Sequence, residues 1–287
     1  MSKSQRLSVR GFLLHLTHYD PVWIKKKSRE KYFDLDLALE IVESMSRVGM
    51  NLLVIDCEDG VVYKSHPELR RPYSADMRAL EAIVRRAESL GIEIVPKMNF
   101  SQGSEGHNLW FRPHNFPFDT PDYWKKATDL IDELIGVCQP KRFFHIGMDE
   151  DFGRSHAQYV KAICTLRTIL KQRRLRPVIW NDSATTMGGP YEVFGEKCMH
   201  AETKIPKDVV QAPWCYHASQ PKTIARLTSE GFDLWGAPGP QPEQAKAWKN
   251  DLLKYGGKGV LLTRWIPCRR GNRKELLRVI NTVGAVL

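Results

Sequence analysis

The sequence predicts a single (β/α)8 barrel, a TIM barrel, that spans residues 1–287 as one domain. Its 287 residues are close to the roughly 250 that are typical of such barrels. Short apolar runs alternate with helical patterns in one pass along the chain, as in a closed parallel barrel. No linker-like stretch divides the sequence into two units.

The first half of the chain shows this alternation through apolar runs and helix caps. Continuous apolar runs predict buried strands at 9–16, 51–56, 92–96 and around 143–146. Asp34 opens a helix whose apolar residues keep helical spacing until Gly49 stops it. Ser74 is the predicted N-cap of the second helix, and Thr120 followed by Pro121 begins the third.

The second half repeats the pattern. A helix through Tyr159 and Leu170 follows the fourth strand. Further strands are predicted at 177–180, 208–214, 232–235 and 259–263, with helices near 222–230, 242–255 and 276–283. The sequence therefore predicts eight parallel strands, whose carboxyl ends form the face on which barrel enzymes carry their sites.

The formal net charge of +10 comes from short basic clusters that are scattered along the chain. Aromatic residues do not alternate with these clusters as they do on nucleic-acid-binding surfaces. We therefore expect a solvated basic surface and no nucleic-acid partner, with an acidic glycan or a nucleic acid as the alternative.

Cysteine usage and the N-terminal sequence bear on location. The six cysteines are scattered without a C-x-x-C pair, which favours reduced thiols over a disulfide framework. The first twenty residues hold at most four to five apolar residues in a row, too few for a signal peptide or a membrane span. We predict a cytoplasmic protein without a membrane partner, a cofactor or a bound metal; the sequence leaves the oligomeric state undetermined.

The stretch 141–153, KRFFHIGMDEDFG, is the strongest candidate for a functional site. Its apolar run ends at Gly147 and is followed by Asp149, Glu150 and Asp151. Charged residues at the carboxyl end of a buried strand indicate a site, because ligands of parallel α/β folds bind there. The alternative is a solvated acidic turn that caps a helix beginning near Arg154.

Tryptophans follow several of the later strands. Trp180, Trp214, Trp235 and Trp265 each stand at the predicted carboxyl end of one of the last four strands. An indole offers a flat apolar face for a sugar ring while its N–H still finds a partner. Four such residues favour a carbohydrate pocket over four separate core residues.

Residues 145–150, HIGMDE, resemble the H-x-G-x-D-E signature of glycoside hydrolase family 20, the retaining β-N-acetylhexosaminidases. The tryptophans and the first-strand pair Arg10-Gly11 are similar to that family as well. The resemblance implies a glycosidase that removes terminal N-acetyl-β-hexosamine, with the substrate's own acetamido oxygen as nucleophile. Glu150 would then be the general acid and later the base, and Asp149 would orient the acetamido group.

The resemblance also implies a set of sugar-binding side chains. Arg10 would hold sugar hydroxyls, Tyr216 would bond the acetamido oxygen, and His145 would orient the acids. The full predicted set of substrate-binding residues is Arg10, His107, His145, Trp180, Asp182, Trp214, Tyr216, Trp235 and Trp265.

Three strand ends depart from the family pattern. The second reads Ile55-Asp56-Cys57-Glu58-Asp59 in place of a run like H-x-T-D-D. The third reads PKMN over 96–99 in place of P-E-[IV]-D, and Trp265 is followed by Ile-Pro in place of x-Glu. These departures leave the acid pair intact and bear on the sugar that is bound.

Two other classes of function stay open at this point. A divalent metal hydrolase could use His107, His145, Asp149, Asp151 and Asp182 as ligands. A non-catalytic glycan-binding barrel would also explain the altered strand ends, although a binder has no need of an acid pair beside a tryptophan wall.

Overall fold

The computed structural model describes residues 6–16, 33–102, 118–185 and 188–287. Eight parallel strands pair in chain order, and β1 pairs with β8 to close the barrel. The predicted (β/α)8 fold is therefore confirmed. The strands are β1 Val9–His15, β2 Leu52–Asp56, β3 Glu93–Lys97, β4 Phe143–His145, β5 Arg176–Asn181, β6 Val210–Cys215, β7 Trp235–Pro238 and β8 Gly259–Leu262.

Helices on the outside connect the strands. They are α1 Leu35–Arg47, α2 Met77–Ser89, α3 Pro121–Cys138, α4 His156–Gln172, α5 Pro190–Glu202, α6 Pro221–Ser229, α7 Pro242–Tyr255 and α8 Arg273–Arg278. Of these, α5 is absent from the sequence prediction above. No helix in the described ranges is long and apolar enough to cross a membrane.

Local capping determines where several helices begin. Asp34 accepts a hydrogen bond from the Leu37 amide at 3.0 Å, and Thr120 caps α3, both as predicted. The predicted N-cap of α2, Ser74, is wrong, because the helix is capped by Asp76. Ser74 instead closes the preceding turn by accepting from the Arg71 amide and donating to the Asp59 carbonyl.

The barrel interior is filled by apolar side chains from alternate strand positions, as in other closed parallel barrels. Phe143 and Trp235 pack edge to face at the amino-terminal end, with ring centroids 4.9 Å apart. Trp180 and Trp214 cover the opposite, carboxyl-terminal end. A second, larger core lies between the strands and the helices.

Two predicted site residues lie at the amino-terminal end of the barrel. Trp235 is the first residue of β7, not its last, and pairs with Gly259 at the start of β8. Arg10 is the second residue of β1, and its guanidinium donates to the carbonyls of Gly49 and Leu7. Both residues are therefore on the wrong face of the barrel for the predicted roles in substrate binding.

Candidate active site

A turn with unusual backbone angles carries the acid pair beyond the end of β4. Gly147, Met148 and Glu150 have φ of 69°, 78° and 50°, all in the left-handed region. A Cβ on Gly147 would lie 2.1 Å from Asn99 Oδ1, so only glycine lets the Asn99 side chain approach. The Asn99 oxygen accepts from the Met148 amide at 3.0 Å and stabilises the turn.

Asp149 is held by the same asparagine. The amide nitrogen of Asn99 donates to Asp149 Oδ1 at 2.7 Å. Burial raises the pKa of Asp149, while the nearby Lys97 ammonium and the Asn99 bond act in the opposite direction. Asp149 is thus partly buried and oriented by a side chain from the end of the neighbouring strand β3.

Glu150 is positioned through its backbone by Asp182. The Glu150 amide donates to Asp182 Oδ2 at 2.9 Å, and the Trp214 indole donates to Oδ1 at 2.8 Å. Burial, with the Asp149 charge next in size, raises the pKa of Asp182 to about 8. The predicted substrate ligand Asp182 is therefore a buried link between the acid turn and the aromatic wall.

Tyr191, which the sequence analysis did not identify, lies beside Glu150. Burial and the Glu150 carboxylate, which is hydrogen-bonded to the Tyr191 side chain, raise the pKa of this tyrosine. Tyr191 also meets Trp214 edge to face, with centroids 6.1 Å apart. It comes from α5, the helix that was not predicted from the sequence.

Aromatic rings surround the acids on the side of the late strands. Trp214 and Tyr216 lie 5.3 Å apart, and the Trp265 indole donates to the Tyr216 hydroxyl at 2.5 Å. Trp180 is 1% exposed and forms the floor, with Trp265 at 5.9 Å. Three of the four predicted tryptophans, together with Tyr216, are therefore brought together at the carboxyl-terminal face.

His145 lies one layer below the acids and is completely buried. Its Nδ1 accepts from the Gly147 amide at 3.1 Å, and its ring packs on Trp180 at 4.5 Å. Burial, followed by the Lys97 charge, holds the pKa of His145 well below its usual range, so the imidazole is neutral. This placement suits a group that orients the acid turn, not one that touches a sugar.

The third acid of the run has a separate, structural task. Asp151 is buried and accepts hydrogen bonds from the Gln102 amide at 2.9 Å and from Arg154 Nη1 at 2.8 Å. Arg154 in turn forms a bidentate ion pair with Asp119. The run is therefore not a solvated acidic turn, and α4 begins at His156 with a Ser155 cap.

A fully buried ion cluster lies beneath Asp149. Lys97 Nζ donates to Asp56 Oδ1 at 2.7 Å and to Glu58 Oε1 at 2.9 Å, and His15 Nδ1 lies 2.8 Å from Asp56 Oδ2. All four side chains are inaccessible to solvent. In the sequence, the ends of the second and third strands stand out only as departures from the family pattern.

The predicted metal ligands do not converge among the residues that the structure describes. The Asp151 carboxylate is engaged by Arg154, and the Asp182 oxygens accept from Glu150 and Trp214. No group of three or more His, Cys, Asp or Glu side chains in the described ranges is arranged to hold a metal ion. His107 lies outside the described residues.

Comparison with solved structures gives a clear likeness in fold. Dispersin B is 15% identical with a TM-score of 0.62, and 98% of each chain is covered. The Streptomyces plicatus N-acetyl-β-hexosaminidase in complex with Thio-NAglucal is 14% identical with a TM-score of 0.69. A family 20 exo-β-N-acetylglucosaminidase from Vibrio harveyi, in complex with N-acetylglucosamine, is 12% identical with a TM-score of 0.67.

The chain has the fold of the family 20 hexosaminidases. It covers nearly all of dispersin B, but 64% of the Streptomyces chain and 54% of the Vibrio chain. No protein-family model and no curated protein matches the sequence itself. The likeness of fold agrees with the resemblance that HIGMDE indicated.

Proposed function

We propose that the protein is a glycoside hydrolase that removes terminal N-acetyl-β-hexosamine by a retaining, substrate-assisted mechanism. One observation carries this proposal: Asp149 and Glu150 stand side by side at the mouth of β4, facing an aromatic pocket, yet each has its own support. Asn99 holds the side chain of Asp149, whereas Asp182 holds the backbone of Glu150. Two adjacent carboxyl groups with different partners suit two different roles.

In the first step, Glu150 donates a proton to the glycosidic oxygen as the bond to the anomeric carbon breaks. The acetamido carbonyl oxygen of the same sugar attacks that carbon and forms a cyclic oxazolinium ion. The Asp149 carboxylate accepts the acetamido N–H and stabilises the positive charge. In the second step, Glu150 removes a proton from water, which attacks the anomeric carbon, opens the ring and restores the acetamido group.

The aromatic residues have matching tasks in this mechanism. Trp180, Trp214 and Trp265 present apolar surface to the C–H face of the sugar ring. The Tyr216 oxygen already accepts from the Trp265 indole, so its own hydrogen is available for the acetamido oxygen. The attack is intramolecular because the acetamido group belongs to the same sugar, and a fixed oxygen in line with the anomeric carbon keeps that group close to its attacking geometry.

The test compares two substituted proteins on two substrates. Glu150→Gln keeps the shape but loses the proton, so an N-acetyl-β-hexosaminide with a poor leaving group should react about 10²- to 10⁴-fold more slowly. A nitrophenyl leaving group needs less acid help and should suffer less. Asp149→Asn should impair both substrates, because both pass through the oxazolinium ion.

Two controls separate the alternatives. A substrate without the 2-acetamido group should hardly react with the native protein, since it carries no nucleophile. A chelator should leave the activity intact; loss of activity with a chelator would favour a metal-dependent hydrolase. If the native protein binds sugar but hydrolyses no N-acetylhexosaminide, it is a glycan-binding barrel and the proposal is wrong.

A further inference from the structure

The buried cluster beneath Asp149 holds a lysine for which the proposed mechanism has no direct use. Lys97 is the last residue of β3 and its side chain is fully inaccessible, as are those of its partners Asp56 and Glu58. A buried ammonium is rare unless it is paired or has a task. Lysine also stands here where the family pattern has glutamate.

A chain of hydrogen bonds joins this lysine to the acid pair. Lys97 Nζ and the Asn99 backbone amide both donate to the same oxygen, Glu58 Oε1, at 2.9 and 3.1 Å. This bond fixes the backbone from which the Asn99 side chain reaches Asp149 Oδ1 at 2.7 Å. Asn99 Oδ1 also accepts from the Ser101 and Met148 amides, so it has little freedom to turn away.

The charges of the cluster leave Lys97 as the cation that acts on Asp149. Burial would raise the pKa of Asp56, but the Lys97 charge and the His15 bond outweigh it and hold that pKa at about 2. Burial and the Asp56 charge raise the pKa of Glu58 well above its usual range, although the Lys97 ammonium bonded to it acts in the opposite direction. Burial outweighs the bond to Asp56 and lowers the pKa of His15 below its usual range, which favours the neutral imidazole.

Other titratable groups around Asp149 are acids, a thiol or phenols. The groups that face it are Glu150 on its own loop, Lys97 and Asp56 at the ends of β3 and β2, Asp182 after β5, Cys198 on α5, and Tyr191 and Tyr216 on the aromatic side. Among them Lys97 has the one positive charge. Losing it would leave the partly buried Asp149 carboxylate beside the acids Asp56 and Glu150, with no cation among these described groups.

We propose that Lys97 is a positioning residue that keeps the Asp149 carboxylate ionised and directed into the pocket, through its charge and through the Glu58–Asn99 chain. The inference rests on the proposed function, in which an anionic Asp149 accepts the acetamido N–H and stabilises the oxazolinium ion. A protonated Asp149 would lose the negative charge on which that stabilisation depends.

The direct test is the titration of Asp149, followed by carbon NMR of its carboxyl group and assigned with Asp149→Asn. Lys97→Met removes the positive charge, so the pKa of Asp149 should rise by about one unit or more. The double variant Lys97→Met with Asp56→Asn removes a balanced pair and serves if the single variant does not fold. It should give a smaller rise of the same sign, because the Lys97 charge affects Asp149 more than the Asp56 charge does.

The matched control is Lys126→Met, which removes one positive charge from a surface ion pair with Glu68. It should leave the Asp149 titration unchanged. In active enzyme, the acidic limb of the kcat/KM profile should move with the Asp149 pKa in the Lys97 variants, which a purely structural lysine would not cause.

Two results would overturn the inference: an unchanged Asp149 pKa in both Lys97 variants, or an equal rise in Lys126→Met. Failure of the proposed function would be seen separately, as a native protein that hydrolyses no N-acetylhexosaminide. In that case the NMR titration still decides whether Lys97 controls the charge of Asp149.

Discussion

Asn99→Asp is the change that tests the support of Asp149 most directly. Asn99 Oδ1 would keep its bonds to the Met148 and Ser101 amides, so the new carboxylate oxygen would replace the amide nitrogen. That oxygen would face Asp149 Oδ1 across the present 2.7 Å contact. Two carboxylates so close must share a proton, as in other acid dyads.

The size of the effect follows from the contact. Two charges with centres about 4 Å apart interact by about 4 kcal/mol at an effective dielectric constant near 20. This energy corresponds to about 3 pKa units. We therefore expect the acidic limb of kcat/KM for an N-acetyl-β-hexosaminide to move up by about 2 to 3 units, with activity on that limb falling about tenfold per unit.

The control is Asn51→Asp, the same substitution at the opposite end of the barrel. Asn51 accepts from the Arg10 amide and donates to the Ser8 carbonyl, far along the strands from the acid pair. This variant should lose stability without moving the acidic limb. An Asn99→Asp protein that is folded and shows the native acidic limb would refute the assigned role of Asn99.

Three further predictions concern stability and charge. The carboxyl group of Asp182 has a pKa of about 8 in the folded protein and about 3.9 in the unfolded chain. Its protonated form therefore stabilises the fold below pH ~4, and this contribution is lost as pH rises through about 8. In urea unfolding, the stability of Asp182→Asn should fall less between those pH values than the stability of the native protein. Asp151→Asn breaks the buried pair with Arg154 and should destabilise the fold by about 3 kcal/mol while folded protein keeps most of its kcat; a large loss of kcat at unchanged stability would contradict its structural role. Raising salt from about 50 to 200 mM should leave turnover of a neutral aryl glycoside nearly unchanged, and a steep loss would revive a role for the basic surface.

The barrel and the place of the acid pair could be predicted from the sequence because both depend on local signals. Apolar runs, helix caps such as Asp34 and Thr120, and helix stops such as Gly49 act within a few residues. The carboxylates follow directly after a strand, and strand direction in a parallel barrel then decides which face they occupy.

The position of each strand along the barrel axis depends on tertiary packing, and the sequence prediction placed β7 incorrectly. The prediction ended β7 at Trp235, whereas the strand begins with that residue. A Cβ on Gly236 would lie 2.3 Å from the Trp248 ring of α7, so close packing of that helix determines which residues enter the barrel. Arg10 lies at the start of β1, as the predicted strand 9–16 already implied. Its predicted role in sugar binding came from the family resemblance alone, and that role does not fit this position.

The sequence by itself determined the fold, the acid pair and most of the aromatic wall. Only the tertiary structure decided that Asp151 is buried against Arg154 and which groups surround Asp149 and Glu150. Lys97 meets Asp56 across 41 positions of sequence, and Asn99 meets Asp149 across 50. Such contacts form because neighbouring parallel strands bring their carboxyl ends together. The pattern within one segment does not show which charged residue of another strand will lie beside it, and so it does not predict the resulting pKa shift.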